Sequence, residues 1–142
     1  MPEPSFSLEM KVRDYELDAQ GVVNNAVYLN YLEHCRHEFL LSRGIDFIRL
    51  AREKVFLVVV RAEIDYKAPL RGGDEFRVGL DLERLSPLRF AFVQNIYRRK
   101  DGRLVLAART IGTAVNEKGR PFLPPALAAL LTPEAKTRPN GA

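Results

Sequence analysis

The chain has 142 residues, a formal charge of +4 and one cysteine. That length suits a single domain with a real core and is short for two, while hydrophobic and charged fractions of 46% and 28% exclude a disordered chain. The lone Cys35 rules out an intrachain disulfide or a CxxC metal site and points to a reducing cytoplasm, and no apolar run approaches the ~18 residues of a membrane span.

SFSLEMKVRD alternates, with Phe6, Leu8, Met10 and Val12 on one face, so it predicts a half-buried strand. After a glycine-containing segment, Tyr28, Tyr31, Leu32, Cys35 and Phe39 recur at helical spacing. Leu29 and Leu40 widen that stripe, which predicts a helix buried on much of its circumference and ended by Gly44. DFIRLARE reads as a short second helix. VFLVVVRAEIDY is β-branched and nearly continuous in apolar residues at its start, which predicts a strand covered on both faces. KAPLRGGD is a turn. EFRVGLDLERL alternates through Phe76, Val78, Leu80 and Leu82, and RFAFVQNIYRR follows as another strand. Asp101-Gly102 signals a two-residue hairpin into LVLAARTIGTAVN, the last long strand. PALAALLTPEAKTRPNGA offers one helical turn and then frays, from about residue 132. One helix followed by consecutive antiparallel strands predicts an α+β domain over residues 1–142, a long central helix wrapped by a curved antiparallel sheet.

The N-terminus MPEPSFSLEM has neither a basic nor an apolar leader region, so no targeting peptide is expected. Excess positive charge suits nucleic acid, an acidic carrier protein or a phosphate-bearing ligand. The basic residues fall in short groups without interleaved aromatics, and no DNA-binding motif is present, so nucleic acid is not expected. There is no GxGxxG after a strand, no P-loop, no GxSxG and no HExxH.

The stretch DYELDAQGVVNNAVYLNYLEHCRHEFL carries the chemistry. Gly21 lets the backbone turn sharply after Asp18, and Asn24 or Asn25 starts the helix. Free N–H groups and the positive dipole end then face the space that Asp18 occupies. A carboxylate beside a helix N-terminus can deliver or activate a nucleophile while the amides hold an oxyanion. A capped loop with no chemistry has the same sequence, and Asp14 and Glu16 compete for any catalytic role. His34 and His37, three apart, make a poor metal site without a third ligand. Glu33 and Arg36 have the spacing of a helical ion pair. Cys35 reads as inert core, and Tyr28 and Tyr31 as core residues that can also line a tunnel.

VRDYELDAQGVVNNAVYLNYLEHCRHEFL resembles the signature of hotdog-fold acyl thioesterases of the 4-hydroxybenzoyl-CoA thioesterase type. The likeness is closest to the plant acyl-lipid (methylketone-pathway) thioesterases, and KAPLRGGDEF resembles their strand-turn-strand segment. It runs from about Phe6 to Pro121. Glu33 and Cys35 stand where the plant enzymes have glutamine and glycine, and Glu33 is similar to bacterial acyl-CoA thioesterases. The resemblance implies a hydrolase of acyl-CoA or acyl-acyl-carrier-protein in fatty acid metabolism; a cytoplasmic setting, no cofactor and no metal are expected. It implies Asp18 as nucleophile or general base, the backbone amide at Asn25 as oxyanion donor, and Glu33 as a possible second carboxylate. Gly21, Val22 and Tyr28 are expected at the substrate. Phe56, Leu57, Val58 and Val59 are expected to face the acyl chain, and Arg61, Lys67, Arg71 and Arg89 to meet the phosphates. A homodimer or homotetramer is implied, with each site between two chains and no membrane partner. Two alternatives remain open at this point: a non-catalytic acyl-thioester binding module, and a hotdog 3-hydroxyacyl dehydratase.

Overall fold

The computed structural model describes residues 3–131. Strand β1 (Phe6–Lys11) leads through a 3₁₀ turn (Asp14–Glu16) into helix α1 (Asn25–Ser42), then the short helix α2 (Phe47–Arg52). Four long strands follow: β2 (Phe56–Tyr66), β3 (Glu75–Arg84), β4 (Phe90–Arg98) and β5 (Leu104–Val115). A two-residue strand β6 (Pro121–Phe122) and helix α3 (Pro125–Leu130) complete the described chain. The predicted fraying from about residue 132 lies outside the described residues.

All pairings are antiparallel and the sheet order is β1-β3-β4-β5-β2, with β6 on β5. This is the hotdog arrangement, an α+β fold with one long helix against one sheet. The helix lies on the sheet through the expected stripe: Tyr28, Tyr31, Leu32, Cys35, Phe39 and Leu40 are all buried. Tyr31 packs on Phe76 with ring centroids 4.7 Å apart, and Phe39 meets Phe6 at 5.7 Å and Phe92 at 6.4 Å. Gly44, at φ +80°, closes α1 as the sequence predicts: its N–H donates to Leu41 O and the Ile45 N–H to Leu40 O.

Three expectations are corrected. Leu29 is 47% exposed, because α1 is covered on one face only and Ala26, Asn30, Glu33 and His34 share its open side. Strand β2 is not covered on both faces. It is the last strand of the sheet, and Val58, Val59 and Val60 are exposed. The β4–β5 connection takes residues 99–103 rather than a two-residue turn, because Asp101 bonds the Arg98 guanidinium (2.7 and 3.0 Å) and the Arg103 N–H (3.2 Å). The pair holds the Asp101 carboxyl down at about 2.

Candidate active site

The loop between β1 and α1 is built from its own backbone. Asp18 N–H donates to Val22 O at 2.8 Å, Gly21 N–H donates to Asp18 O at 3.1 Å, and Leu17 pairs with Val23. Gly21 sits at φ +78°, a conformation that side chains with a Cβ rarely adopt. Within this tight turn the Asp18 carboxylate is divided. Its Oδ1 accepts the N–H groups of Gln20 (2.8 Å) and Val22 (3.4 Å). Its Oδ2 takes no hydrogen bond among the described residues, and the side chain is exposed. One oxygen is anchored and the other carries no hydrogen bond among the described residues.

The helix beside it begins where expected. Asn24 is the N-cap, its side chain accepting the Ala26 N–H at 3.0 Å, and its carbonyl accepts the Val27 N–H at 2.9 Å. The Asn25 N–H, the first of the helix, has no acceptor among the described residues. It faces outward with the positive end of an 18-residue helix behind it.

The competing acids separate cleanly. Glu16 is buried and accepts the Tyr31 hydroxyl (2.7 Å) and the Arg13 N–H (2.7 Å), with the Arg13 guanidinium at 3.7 Å. It is a clamp between the 3₁₀ turn and α1. The bond to Glu16 and burial together push the Tyr31 hydroxyl far above its ordinary range, burial being the larger cause. Asp14 starts the 3₁₀ turn and is exposed, since β1 ends before it reaches that position.

A second support comes from the segment after β2. Val23 N–H donates to Leu70 O (2.9 Å), Leu70 N–H to the Tyr28 hydroxyl (3.1 Å), and Val22 bridges Arg71. The Arg98 guanidinium fixes this segment by donating to Pro69 O at 2.8 Å. Arg98 and Leu70 are supports of this loop that sequence reasoning missed; the only sign of them was an arginine at the end of a largely buried strand. Tyr28 is therefore a buried strut against the loop, with Tyr66 edge-on to its ring at 5.7 Å. The Tyr66 hydroxyl donates to Asn25 O at 3.5 Å, so the end of β2 lies at the start of α1.

Farther along α1 a cavity of about 270 Å³ opens between that helix, α2 and the sheet. Phe56, Leu57, Val58 and Val59 all line it, as do Glu33, Arg36 and His37. Glu33 is eight residues beyond Asn25, about 12 Å along the axis. The predicted Glu33–Arg36 ion pair does not form. Arg36 instead donates to Gln94 Oε1 at 3.2 Å and lies 5.9 Å over the Phe92 ring. Gln94 is fully buried and passes the connection on to Leu32 O at 3.0 Å. Burial lowers the Arg36 and His37 values, opposed in both by the Glu33 carboxylate. Cys35 is buried with its thiol pushed up to about 12 by desolvation, and so is unreactive.

The four predicted cations do not come together in one chain. Arg71 lies beside Val22, and Lys67 follows Tyr66, so both belong to the Asp18 end. Arg61 pairs with Glu63 at 3.2 Å in mid-strand. Arg89 sits in the β3–β4 turn, whose Leu88 carbonyl meets Thr113 at the opposite end of β2. Among the described residues no three His, Cys, Asp or Glu side chains gather as a ligand set, and no helix is long and apolar enough to cross a membrane.

Residues 12–132 match the family model described as the Thioesterase-like superfamily. The chain is 42% identical over 114 residues to a chloroplastic acyl-acyl carrier protein thioesterase of Arabidopsis thaliana, a match covering 80% of this chain and 60% of that protein. It thus spans about three fifths of the plant relative's length. It is 31% identical over 100 residues to a long-chain acyl-CoA thioesterase of Escherichia coli, covering 70% of this chain and 75% of that one. A hypothetical protein from Aquifex aeolicus has a solved structure that superposes with a TM-score of 0.82 at 32% identity, covering 89% of this chain and 99% of that one.

Proposed function

Because this chain belongs to the Thioesterase-like superfamily, we propose that it hydrolyses acyl thioesters to a free acid and a thiol. The observation that carries the reading is the divided carboxylate of Asp18. Its Oδ1 is tied into the turn and its Oδ2 is unbonded among the described residues, beside a helix whose first N–H is unused. The thioester carbonyl oxygen accepts the Asn25 N–H, and the helix dipole favours the charge that grows there. Asp18 Oδ2 then attacks the carbonyl carbon, and the C–S bond breaks to release the thiol and leave a mixed anhydride that water opens; or it takes a proton from a water that attacks that carbon and expels the thiol. Single turnover in ¹⁸O-water separates the two, since only the anhydride route can leave label on Asp18.

The site is completed by a second copy. Strand β2 is 11 residues long with no strand on its outer edge among the described residues, and Val59 is 56% exposed there. A long apolar edge demands a partner. Two identical edges pair isologously, antiparallel about the strand's middle. The Phe56 end of one chain then lies beside the Tyr66 end of the other. That brings the cavity, with Glu33 on its wall, to the partner's Asp18. Lys67 and Arg71 of one chain and Arg89 of the other flank the same mouth, where the phosphates of CoA or of a carrier protein's prosthetic arm would sit.

Thiol release from matched acyl-CoA and acyl-carrier-protein substrates tests the reading and identifies the carrier. Turnover on either class supports it. Bound but unhydrolysed thioester would assign the chain as a binding module, and a new conjugated double bond without thiol would make it a dehydratase.

A further inference from the structure

We propose that the stacked pair His37–Phe47 is the closing wall of the acyl pocket and sets the length of acyl chain the protein accepts. This rests on the thioesterase reading above, and it holds whichever chain's Asp18 the cavity serves. Helix α2 does nothing for the carboxylate or the oxyanion, yet it is built with care. Asp46 caps it through the Ile48 and Arg49 N–H groups at 3.0 and 3.4 Å. Lys54 adopts φ +65°, rare for a residue with a side chain, so that α2 turns directly into β2.

That geometry aims one face of α2 inward. Phe47 and Ala51, four apart, line the cavity, whereas Ile48 is 54% exposed. The Phe47 ring lies flat on the His37 imidazole, centroids 3.8 Å apart and planes 20° from parallel. The pair bridges α1 and α2 across the end of the cavity away from Asn25, where Leu40 and Val55 add only apolar surface. On the floor, Gly112 lets the Phe90 ring approach to 3.0 Å of where a Cβ would stand. The sole cation, Arg36, is turned toward Gln94 and Phe92. Leu40, Phe47, Ala51 and Val55 offer an acyl end dispersion contacts, with the His37 ring, stacked on Phe47, as the polar group of that wall. A volume of about 270 Å³ holds roughly nine water-sized groups. The acyl class that fits is an unsubstituted alkyl chain of medium length, in preference to a hydroxylated ring.

The test uses straight-chain S-alkyl-CoA thioethers, which bind without being cleaved, beside the matching acyl-CoAs. Affinity for the parent protein should rise about fourfold per methylene while surface is being buried, then level off once the chain meets the wall. Phe47→Ala should move that plateau to longer chains and raise the long-to-short ratio of kcat/KM. Ala51→Phe, which fills the cavity from the same face, should move both the other way. A plateau at one length in all three proteins, or preference for hydroxyaryl over alkyl chains, overturns the proposal. Plateaus that shift as described without thiol release from any acyl-CoA or acyl-carrier-protein would support this wall while sinking the hydrolytic reading.

Discussion

At the scale of single residues, two carboxylates that sequence alone cannot rank lie in one loop. Glu16 and Asp18 are two positions apart, yet one is a buried clamp and the other is exposed, the reagent of the proposed mechanism. Asp18→Asn keeps an oxygen for the Gln20 and Val22 N–H groups and removes only the charge and basicity of Oδ2. Thiol-release kinetics should show kcat lowered by about 10²–10⁴ with KM little changed. Tyr31→Phe should leave KM alone and cost about 1–3 kcal/mol of stability in urea titrations, because Glu16 loses its buried donor. His37 gives a pH signature. Burial sets its folded-state value below the ordinary one, against the pull of Glu33 and Glu38 and aided by Arg36 and His34. The unfolded chain therefore binds the proton first. Stability should be complete above about pH 6.5, should fall as pH drops through that value, and should stop falling below the folded-state value. Denaturation midpoints between pH 7.5 and 5 would show a smaller slope in His37→Gln.

At the scale of elements, the segment after β2 braces the loop that carries Asp18. Arg98 donates to Pro69 O, and Leu70 O accepts the Val23 N–H just ahead of α1. Arg98→Met should leave the sheet intact and speed hydrogen exchange at the Val23 amide, with a loss in kcat. Unchanged exchange there would remove the brace from the account. The elements themselves were largely legible in the sequence: the alternation of β1 and β3, the stripe of α1 and the glycine that ends it. What was not legible depends on neighbours far along the chain. The apolar run of β2 reads like an inner strand, because one sequence cannot distinguish a strand flanked on both sides from one at the end of the sheet. Leu29 misleads for the same reason on α1. Asp101-Gly102 has the residues of a tight hairpin, but the Arg98 guanidinium claims the aspartate and opens the turn. Of the candidate site, the turn at Asp18 and Gly21 and the helix start at Asn25 were readable because neighbouring residues set their geometry. The brace through Arg98 and Leu70 was hidden, since nothing in the sequence says which carbonyl an arginine will find.

At the scale of the whole molecule, the proposed dimer would join two features that one chain holds apart. The carboxylate and the free amide stand at one end of β2, and the cavity at the other. Antiparallel pairing of two β2 edges joins unlike halves twice. Replacing the exposed Val59 by lysine should therefore give monomers in sedimentation and lose turnover together with assembly. The most direct measurement is thiol release by purified mixed dimers, one chain Asp18→Asn and the other Ala51→Trp, on a medium-chain acyl-CoA. Each parent homodimer of these variants should be nearly inactive. The mixed dimer should recover about half the unaltered rate, because one of its two sites joins an intact Asp18 to an open cavity. Mixed dimers that form but stay as inactive as their parents would contradict the account.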